Sequence, residues 1–233
     1  MPDCLFSSAF FPENGQNVVL GLYLLGLGAA LLIEAGMRGR ALFRAVFFLP
    51  VVSLTVAMAA AWQYLLHPTI GPLNAFLRLL GVTSPPFWLS SSDWVLLSLG
   101  AIGVWENVGY NMVLFLAGLS AIPRELYQAA EVDGTKSWID RFRLVTWPML
   151  GPTTLFVLTI TMIRSIRVFD TVAVLTQGGP NKASELLLHT MYKEGFSFLR
   201  LGYSAAITLV FLLMVLGLVW LQTKALDKRV HYG

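Results

Sequence analysis

The amino-acid sequence predicts an all-α fold, a polytopic bundle of membrane helices. The chain has 233 residues, of which 56% are hydrophobic and 12% are charged, whereas soluble domains carry about 25% charged residues. Its mean hydropathy is +0.69, and several apolar runs approach the roughly 20 residues that a membrane-spanning helix requires. We therefore expect residues 1–233 to form one transmembrane domain.

The apolar runs predict about five transmembrane helices. Two polar connections interrupt them, His67–Ser92 and Asp170–Arg200, and the second contains a QGGPN turn. The predicted spans are Val18–Gly36, Ala45–Leu66, Trp94–Leu119, Gly151–Phe169 and Gly202–Leu221.

Lysine and arginine residues set the expected orientation. Positively charged loops stay in the cytoplasm, and this distribution accounts for the net charge of +3 without nucleic-acid binding. If the loops with more lysine and arginine lie in the cytoplasm, the N-terminus lies outside. We therefore hypothesise that a preceding helix is missing from this chain. The expected location is a multi-pass one in the cell (inner) membrane. Ten basic residues fall on the cytoplasmic side (Arg38, Arg40, Arg44, Arg124, Lys136, Arg141, Arg143, Lys224, Lys228, Arg229) and four outside (Arg78, Lys182, Lys193, Arg200).

A polar stretch from Pro123 to Pro152 holds eight charged residues between two apolar spans. Proline suits the start of a helix, and Leu126, Ala129 and Ala130 then recur at helical spacing as a small apolar face. Asp133-Gly134 reads as the end of that helix, because glycine readily takes left-handed backbone angles. A second short helix is expected over about 136–145. The small face suits docking in a partner's groove, or it packs under the chain's own bundle; the residues alone favour neither.

The same stretch resembles the EAA loop of ABC importer permeases. The segment IPRELYQAAEVDG is similar to the carbohydrate and glycerol-3-phosphate (maltose-type) branch, with Gln128 where the family usually has Glu. Three further blocks follow in that branch's order and extend the resemblance over nearly the whole chain. They are RGRALFRAVFFLPV, GPLNAFLRLLG and VFDTVAVLTQGGP.

The resemblance implies a function for the loop. Residues of about 120–148 would form a coupling helix in a cleft of a cytoplasmic ATPase dimer, and 222–233 a short cytoplasmic tail. The other implied partners are a second related permease subunit and an extracytoplasmic substrate-binding protein. The chain itself would be no enzyme and hold no cofactor, since the partner binds ATP, and the cargo would be a sugar or glycerol-3-phosphate. The ATPase-coupling residues so implied are Gln128, Ala129, Ala130, Asp133, Gly134 and Pro148.

Five polar residues within the spans are candidates for the translocation path. Charges inside a membrane are costly and suggest a functional site. Glu106, Asn107 and Asn111 either line the path or hydrogen-bond neighbouring helices. Arg164 and Arg167 either attract an anionic substrate or extend to the outer interface, where they can pair with Asp170.

Other function classes have weaker support in the sequence. No G-x-x-x-x-G-K-[ST] phosphate-binding loop occurs, and the three histidines lack metal-ligand spacing. A secondary transporter or channel independent of ATP stays an alternative, as does a membrane-embedded enzyme using Glu106 or His67 as a base.

Overall fold

The computed structural model describes residues 13–36, 39–135, 137–166 and 169–227. All the regular secondary structure in these ranges is helical, as the sequence predicts. Two π-helical turns, Phe142–Thr146 and Lys193–Ser197, interrupt the α-helices. The α-helices are Glu13–Glu34, Arg40–Val52, Thr55–Leu65, Pro72–Leu79, Val95–Ser120, Arg124–Val132, Trp138–Arg141, Trp147–Met149, Gly151–Ile166, Asp170–Leu175, Leu187–Tyr192 and Leu201–Asp227.

The predicted second span is wrong as a single helix. Its residues form two helices, Arg40–Val52 and Thr55–Leu65, that meet at an angle of 101°. The break lies where Leu54 takes extended backbone angles (φ −69°, ψ 118°), shortly after Pro50, which lacks the N–H of a regular helix. Because both helices are apolar, composition alone gives no sign of this break.

Length and apolar composition single out one described helix as able to cross a membrane, Leu201–Gln222, or two if the bent pair is one span. Only 6% of the spanning stretch of this helix is buried within the chain. The core helix of a soluble protein is mostly buried, so this helix does not resemble one. The helix Val95–Ser120 is 26 residues long, but Glu106, Asn107 and Asn111 lower its apolar character. Within the described residues the fourth predicted span is helical over Gly151–Ile166, and residues 167–168 lie outside them.

The chain forms two compact units from interleaved segments; the prediction of a single domain over 1–233 stays a prediction. The first unit contains Val52–Glu106 and Arg164–Val215. Its core includes Val95, Ile102 and Val172, all almost fully buried. In the same unit the indole N–H of Trp88 donates to Asn74 Oδ1 at 2.7 Å, and Ser98 Oγ donates to the Trp88 carbonyl at 2.9 Å. These bonds hold the connection before the long helix in a fixed conformation.

The second unit contains Val19–Val51 and Asn107–Ile163. Its core is centred on Met112, Phe115 and Leu150. The ring of Tyr23 meets Phe115 edge to face, with centroids 5.3 Å apart, and the Tyr23 hydroxyl lies 3.4 Å from Thr154 Oγ1. The N-terminal helix, the long helix and the helix from Gly151 are thereby packed together.

Gly109 allows two backbones of the second unit to touch. A Cβ atom placed on this residue would lie 1.9 Å from the carbonyl oxygen of Phe47. Small residues permit such close approach between membrane helices, where packing and hydrogen bonding replace the hydrophobic drive. Gly28 differs, since a Cβ atom there meets no atom within 4 Å.

We predict that Gly109→Ala lowers the free energy of unfolding by about 1–3 kcal/mol, because the added methyl group overlaps a backbone atom and no side-chain rotation can relieve it. Gly28→Ala is the matched control, and we expect its stability to equal or slightly exceed that of the wild type. Thermal unfolding in detergent measures both. Equal midpoints for Gly109→Ala and the wild type would contradict the close backbone contact.

Candidate functional site

The EAA-like loop contains a regular helix with a well-defined end. This helix, Arg124–Val132, is called the loop helix below; Pro123 precedes it as its N-cap. At its other end the N–H of Gly134 donates to the carbonyl of Glu131 at 3.1 Å, and the N–H of Thr135 donates to the carbonyl of Ala130 at 3.0 Å. With Gly134 at φ +92°, this is a Schellman motif. The predicted stop at Asp133-Gly134 is confirmed.

The predicted apolar face of the loop helix divides into two. Ala130 is buried at 8% exposure and belongs to the core of the second unit, with Tyr127 packed beside it. Ala129 is exposed, Leu126 is 39% exposed, and Val132 is 88% exposed. The two alanines therefore serve different surfaces. We call Gln128, Ala129 and Val132, all exposed, the outward face.

Val132 is a candidate that the sequence alone does not single out. It lies three residues after Ala129, so the two side chains are neighbours on the helix surface. Its side chain is 88% exposed, so it adds an apolar group beside Ala129 that a partner can contact. The signal in the sequence was its helical spacing from Ala129.

The second helix of the loop extends further than predicted. It begins at Trp138, where Ser137 Oγ accepts a hydrogen bond from the N–H of Ile139 at 3.2 Å. It then continues through the π-helical turn Phe142–Thr146 to Met149. Pro148 therefore lies inside this helical stretch and is exposed. Lys136, the predicted first residue, lies outside the described residues.

Two side-chain contacts join the loop helix to the second helix. Arg141 Nη2 forms an ion pair with Glu131 Oε1, and the Tyr127 hydroxyl lies 3.1 Å from Thr146 Oγ1. The side chains of Arg141 and Glu131 are 41% and 52% exposed. Because water screens such a pair, it contributes at most about 1 kcal/mol to stability. The Tyr127–Thr146 contact is better shielded, because Thr146 is buried.

A cavity of about 480 Å³ lies beside the loop helix, within the second unit. Its lining includes Glu34, Arg124, Tyr127 and Trp138. The loop helix thus contacts its own bundle along the side of Tyr127 and Ala130 and is not packed flush against it. This geometry leaves the outward face available to a partner.

Among the candidates for the translocation path, Asn111 has clear hydrogen-bond partners. It is 1% exposed, and its amide Nδ2 donates to Thr161 Oγ1 at 2.9 Å and to the Leu22 carbonyl at 3.4 Å. These bonds join three helices of the second unit. Asn107 in the same unit and Glu106 in the first are half-buried.

Of the two arginine candidates, the structure describes Arg164 and not Arg167. Arg164 is exposed in the last turn of the helix Gly151–Ile166, and a new helix begins at Asp170. Arg164 and Asp170 therefore lie in two different helices, whereas the spacing argument places them on one. Arg167 lies outside the described residues.

The predicted turn at Gly178-Gly179-Pro180 is confirmed. Gly178 has φ +85°, and the buried Ser184 Oγ lies within hydrogen-bond distance of Thr176 Oγ1, at 2.7 Å, and of the Gly179 carbonyl oxygen, at 2.5 Å. Ser184 is 0% exposed. This arrangement is a structural turn, with its polar groups used internally.

A family of transporter components matches almost the whole chain. Residues 23–232 match the sequence model of the family described as binding-protein-dependent transport system inner membrane component. The chain belongs to this family. It is therefore a permease component of an ABC importer, and the family resemblance seen in the loop is confirmed.

Similar proteins carry the names of glycerol-3-phosphate permeases. The sn-glycerol-3-phosphate transport system permease protein UgpA of Agrobacterium fabrum is 34% identical over 217 residues, covering 90% of this chain and 72% of its own. The protein of the same name from Pectobacterium atrosepticum is 32% identical over 238 residues, covering 98% and 79%. Both are relatives by sequence.

Solved structures of ABC transporters share the fold. A bacterial transporter that imports the acidic polysaccharide alginate has a chain with a TM-score of 0.80 and 21% identity, covering 93% of this chain and 77% of that one. The alginate transporter in complex with its alginate pentasaccharide-bound periplasmic protein gives a TM-score of 0.82 and 22% identity, covering 99% and 83%. At this identity the likeness shows the fold alone, a helical membrane bundle.

We predict that Asn111→Leu lowers the free energy of unfolding by about 1 kcal/mol, the usual contribution of a hydrogen bond between membrane helices. The substrate concentration for half-maximal uptake should stay at the wild-type value, because the Asn111 side chain forms hydrogen bonds between helices and does not contact the substrate. Thermal unfolding and an uptake titration measure the two. Unchanged stability with a shifted half-maximal concentration would instead assign Asn111 to the path.

Proposed function

We propose that this chain couples the ATP hydrolysis of a cytoplasmic ABC ATPase dimer to movement of its membrane helices, through the outward face of the loop helix. The single observation that carries the proposal is the division of the loop helix. Ala130 and Tyr127 belong to the core of the second unit or pack against it, whereas Gln128, Ala129 and Val132 are exposed. One side is joined to the bundle and the other is available to a partner.

The outward face has the shape that groove binding requires. An amphipathic helix docks by placing an apolar face in a groove, with anchors at helical spacing. Ala129 has little bulk, so a partner surface can approach the helix backbone, and Val132 supplies an apolar anchor beside it. Gln128 is neutral, so this position contributes hydrogen bonding rather than charge.

Movement of the loop helix would be passed on through the second helix. The contacts Tyr127–Thr146 and Glu131–Arg141 join the two helices, and the second leads within two residues into the helix that begins at Gly151. The Schellman end at Gly134 fixes the angle between the loop helix and the following segment. We propose that Asp133, Gly134 and Pro148 act through this geometry, as positioning residues.

The partners follow from this function. ATP would be bound by the separate ATPase subunits, consistent with the absence of a phosphate-binding loop from the sequence, and this chain would hold no cofactor and be no enzyme. We propose a second related permease subunit and an extracytoplasmic binding protein as its other partners. The family description, binding-protein-dependent transport, supports the latter. The location would be multi-pass in the cell inner membrane.

The cargo proposed is glycerol-3-phosphate or a sugar. The names of the relatives at 32–34% identity support the phosphate ester. We propose that Glu106, Asn107 and Arg164 line the path with Arg167, and that Arg164 favours an anionic substrate because its guanidinium can bind a phosphate group. For Asn111, the hydrogen bonds to Thr161 and Leu22 support the structural alternative, hydrogen bonding between helices, rather than a place in the path.

We predict that Ala129→Arg reduces ATP-driven uptake at least about tenfold, a loss of 1.4 kcal/mol or more in coupling, while insertion and thermal stability stay within wild-type limits. The reason is steric, since a long charged side chain on an exposed position blocks the close approach of the ATPase. Uptake into proteoliposomes that contain the assembled importer measures this effect.

The matched control is Ala121→Arg, at an exposed position of the same loop that precedes the loop helix. It adds the same charge without altering the outward face, so uptake should stay near the wild-type rate. If both variants transport normally, the outward face does not dock the ATPase. If both fail equally, the charge rather than the face is responsible, and the proposal is also contradicted.

The cargo is tested by uptake of radiolabelled sn-glycerol-3-phosphate into proteoliposomes that contain the importer, with its proposed binding protein added. We expect uptake that unlabelled glycerol-3-phosphate displaces, and that ceases when the ATPase carries an inactivating substitution. Displacement by a neutral sugar but not by glycerol-3-phosphate would move the assignment to sugars. Uptake that persists with the inactive ATPase would favour a secondary transporter or channel.

A further inference from the structure

The segment before the last helix exposes an unusual number of large apolar side chains. We call residues 192–201, sequence YKEGFSFLRL, the aromatic turn. Sequence reasoning assigns nearly all of it to an aqueous outer loop. Its exposed fractions are Tyr192 45%, Phe196 72%, Phe198 53%, Leu199 77% and Leu201 69%.

The aromatic turn is held firmly against the helix that follows it. The N–H of Phe198 donates to the Lys193 carbonyl at 3.0 Å, and the N–H of Arg200 donates to the Glu194 carbonyl at 2.8 Å. Ser204 Oγ, in the first turn of the last helix, donates to the Met191 carbonyl at 2.9 Å. The position of the turn along the membrane normal is therefore set by the last helix.

Two cations flank the ring of Phe198 in this turn. Lys193 Nζ lies 5.8 Å and Arg200 Cζ 5.7 Å from the ring centroid. Each also pairs with a carboxylate, Lys193 with Glu185 at 3.4 Å and Arg200 with Glu194 at 3.5 Å. The Arg200 side chain is 68% exposed, so donors remain for an external acceptor.

The other end of the last helix carries a similar pair. Lys224 Nζ lies 4.8 Å from the ring centroid of Trp220. No charged residue occurs from Leu201 to Trp220, and a helix of this length rises about 30 Å, which is the thickness of the hydrocarbon core. Aromatic rings with cations mark the interfaces of membrane proteins, so the two ends of this helix coincide with the two interfaces.

We propose that the aromatic turn is an interfacial anchor that lies at the boundary between headgroups and acyl chains of the outer leaflet. Phe196 and Leu199 face the acyl chains, and Arg200 faces the lipid phosphates. The lipid surface is the occupant because the turn is continuous with an apolar helix that is long enough to cross a membrane and of whose spanning stretch only 6% is buried within the chain. The anchor fixes the depth of the last helix during transport.

The test uses spin labels on the full chain in its assembled importer, reconstituted in lipid nanodiscs. The single cysteine is first replaced by Cys4→Ser, and a nitroxide is attached at Phe196→Cys. Collision rates with oxygen, which partitions into lipid, and with a water-soluble nickel chelate report its depth. The controls are Leu209→Cys, on the exposed surface of the last helix, and Ser84→Cys, exposed in the other outer connection.

We expect the ratio of oxygen to nickel collisions at Phe196→Cys to exceed that at Ser84→Cys several-fold and to approach that at Leu209→Cys. Adding the loaded binding protein should leave it unchanged. A ratio equal to that at Ser84→Cys would place the turn in water. Low collision rates with both reagents, or a loss of oxygen access when the binding protein is added, would assign the surface to a protein partner. Each of these results overturns the anchor, and wild-type uptake by the labelled variants establishes that the fold is intact.

Discussion

The packing of Ala130 and Tyr127 against the π-helical turn Phe142–Thr146 decides how the cytoplasmic loop can work. Ala130 lies in one cluster with Val145, and the Tyr127 hydroxyl contacts Thr146, so the loop helix has one side fixed to the bundle. Its opposite side, with Ala129 and Val132, then faces away from the chain. A helix free on both sides could not transmit movement, and a helix buried on both sides could not receive it.

The second unit has the close helix packing that such transmission requires. In a membrane, helices associate by close packing and internal hydrogen bonds, since lipid is as apolar as their side chains. Gly109 brings one backbone against the carbonyl of Phe47. The Asn111 amide donates hydrogen bonds to Thr161 Oγ1 and to the Leu22 carbonyl. Displacement of the loop helix is thus passed to helices in contact with one another. The last helix has a different surface, exposed along its length and bounded by aromatic rings with cations.

Local signals in the sequence predicted the features that depend on neighbours along the chain. The stop at Gly134 follows from glycine's tolerance of left-handed angles, and the helices Val95–Ser120, Gly151–Ile166 and Leu201–Asp227 lie where the apolar runs placed them. Features set by tertiary contacts were missed. The spacing of Ala129 and Ala130 cannot show which one is buried, because burial depends on Val145 and Leu119 elsewhere in the chain. Likewise the bend after Val52 lies between two apolar helices, and the partners of Asn111 are distant in sequence.

Docking of the ATPase on the outward face is tested most directly by the reactivity of single cysteines on the loop helix, in a Cys4→Ser background, toward a membrane-impermeant maleimide applied from the cytoplasmic side. We predict that cysteines at Ala129 and Val132 react rapidly in the isolated chain and are protected when the ATPase dimer is bound. A cysteine at Ala130 should react slowly in both states. If the cysteine at Ala129 reacts at the same rate with and without the ATPase, the outward face is not the docking surface.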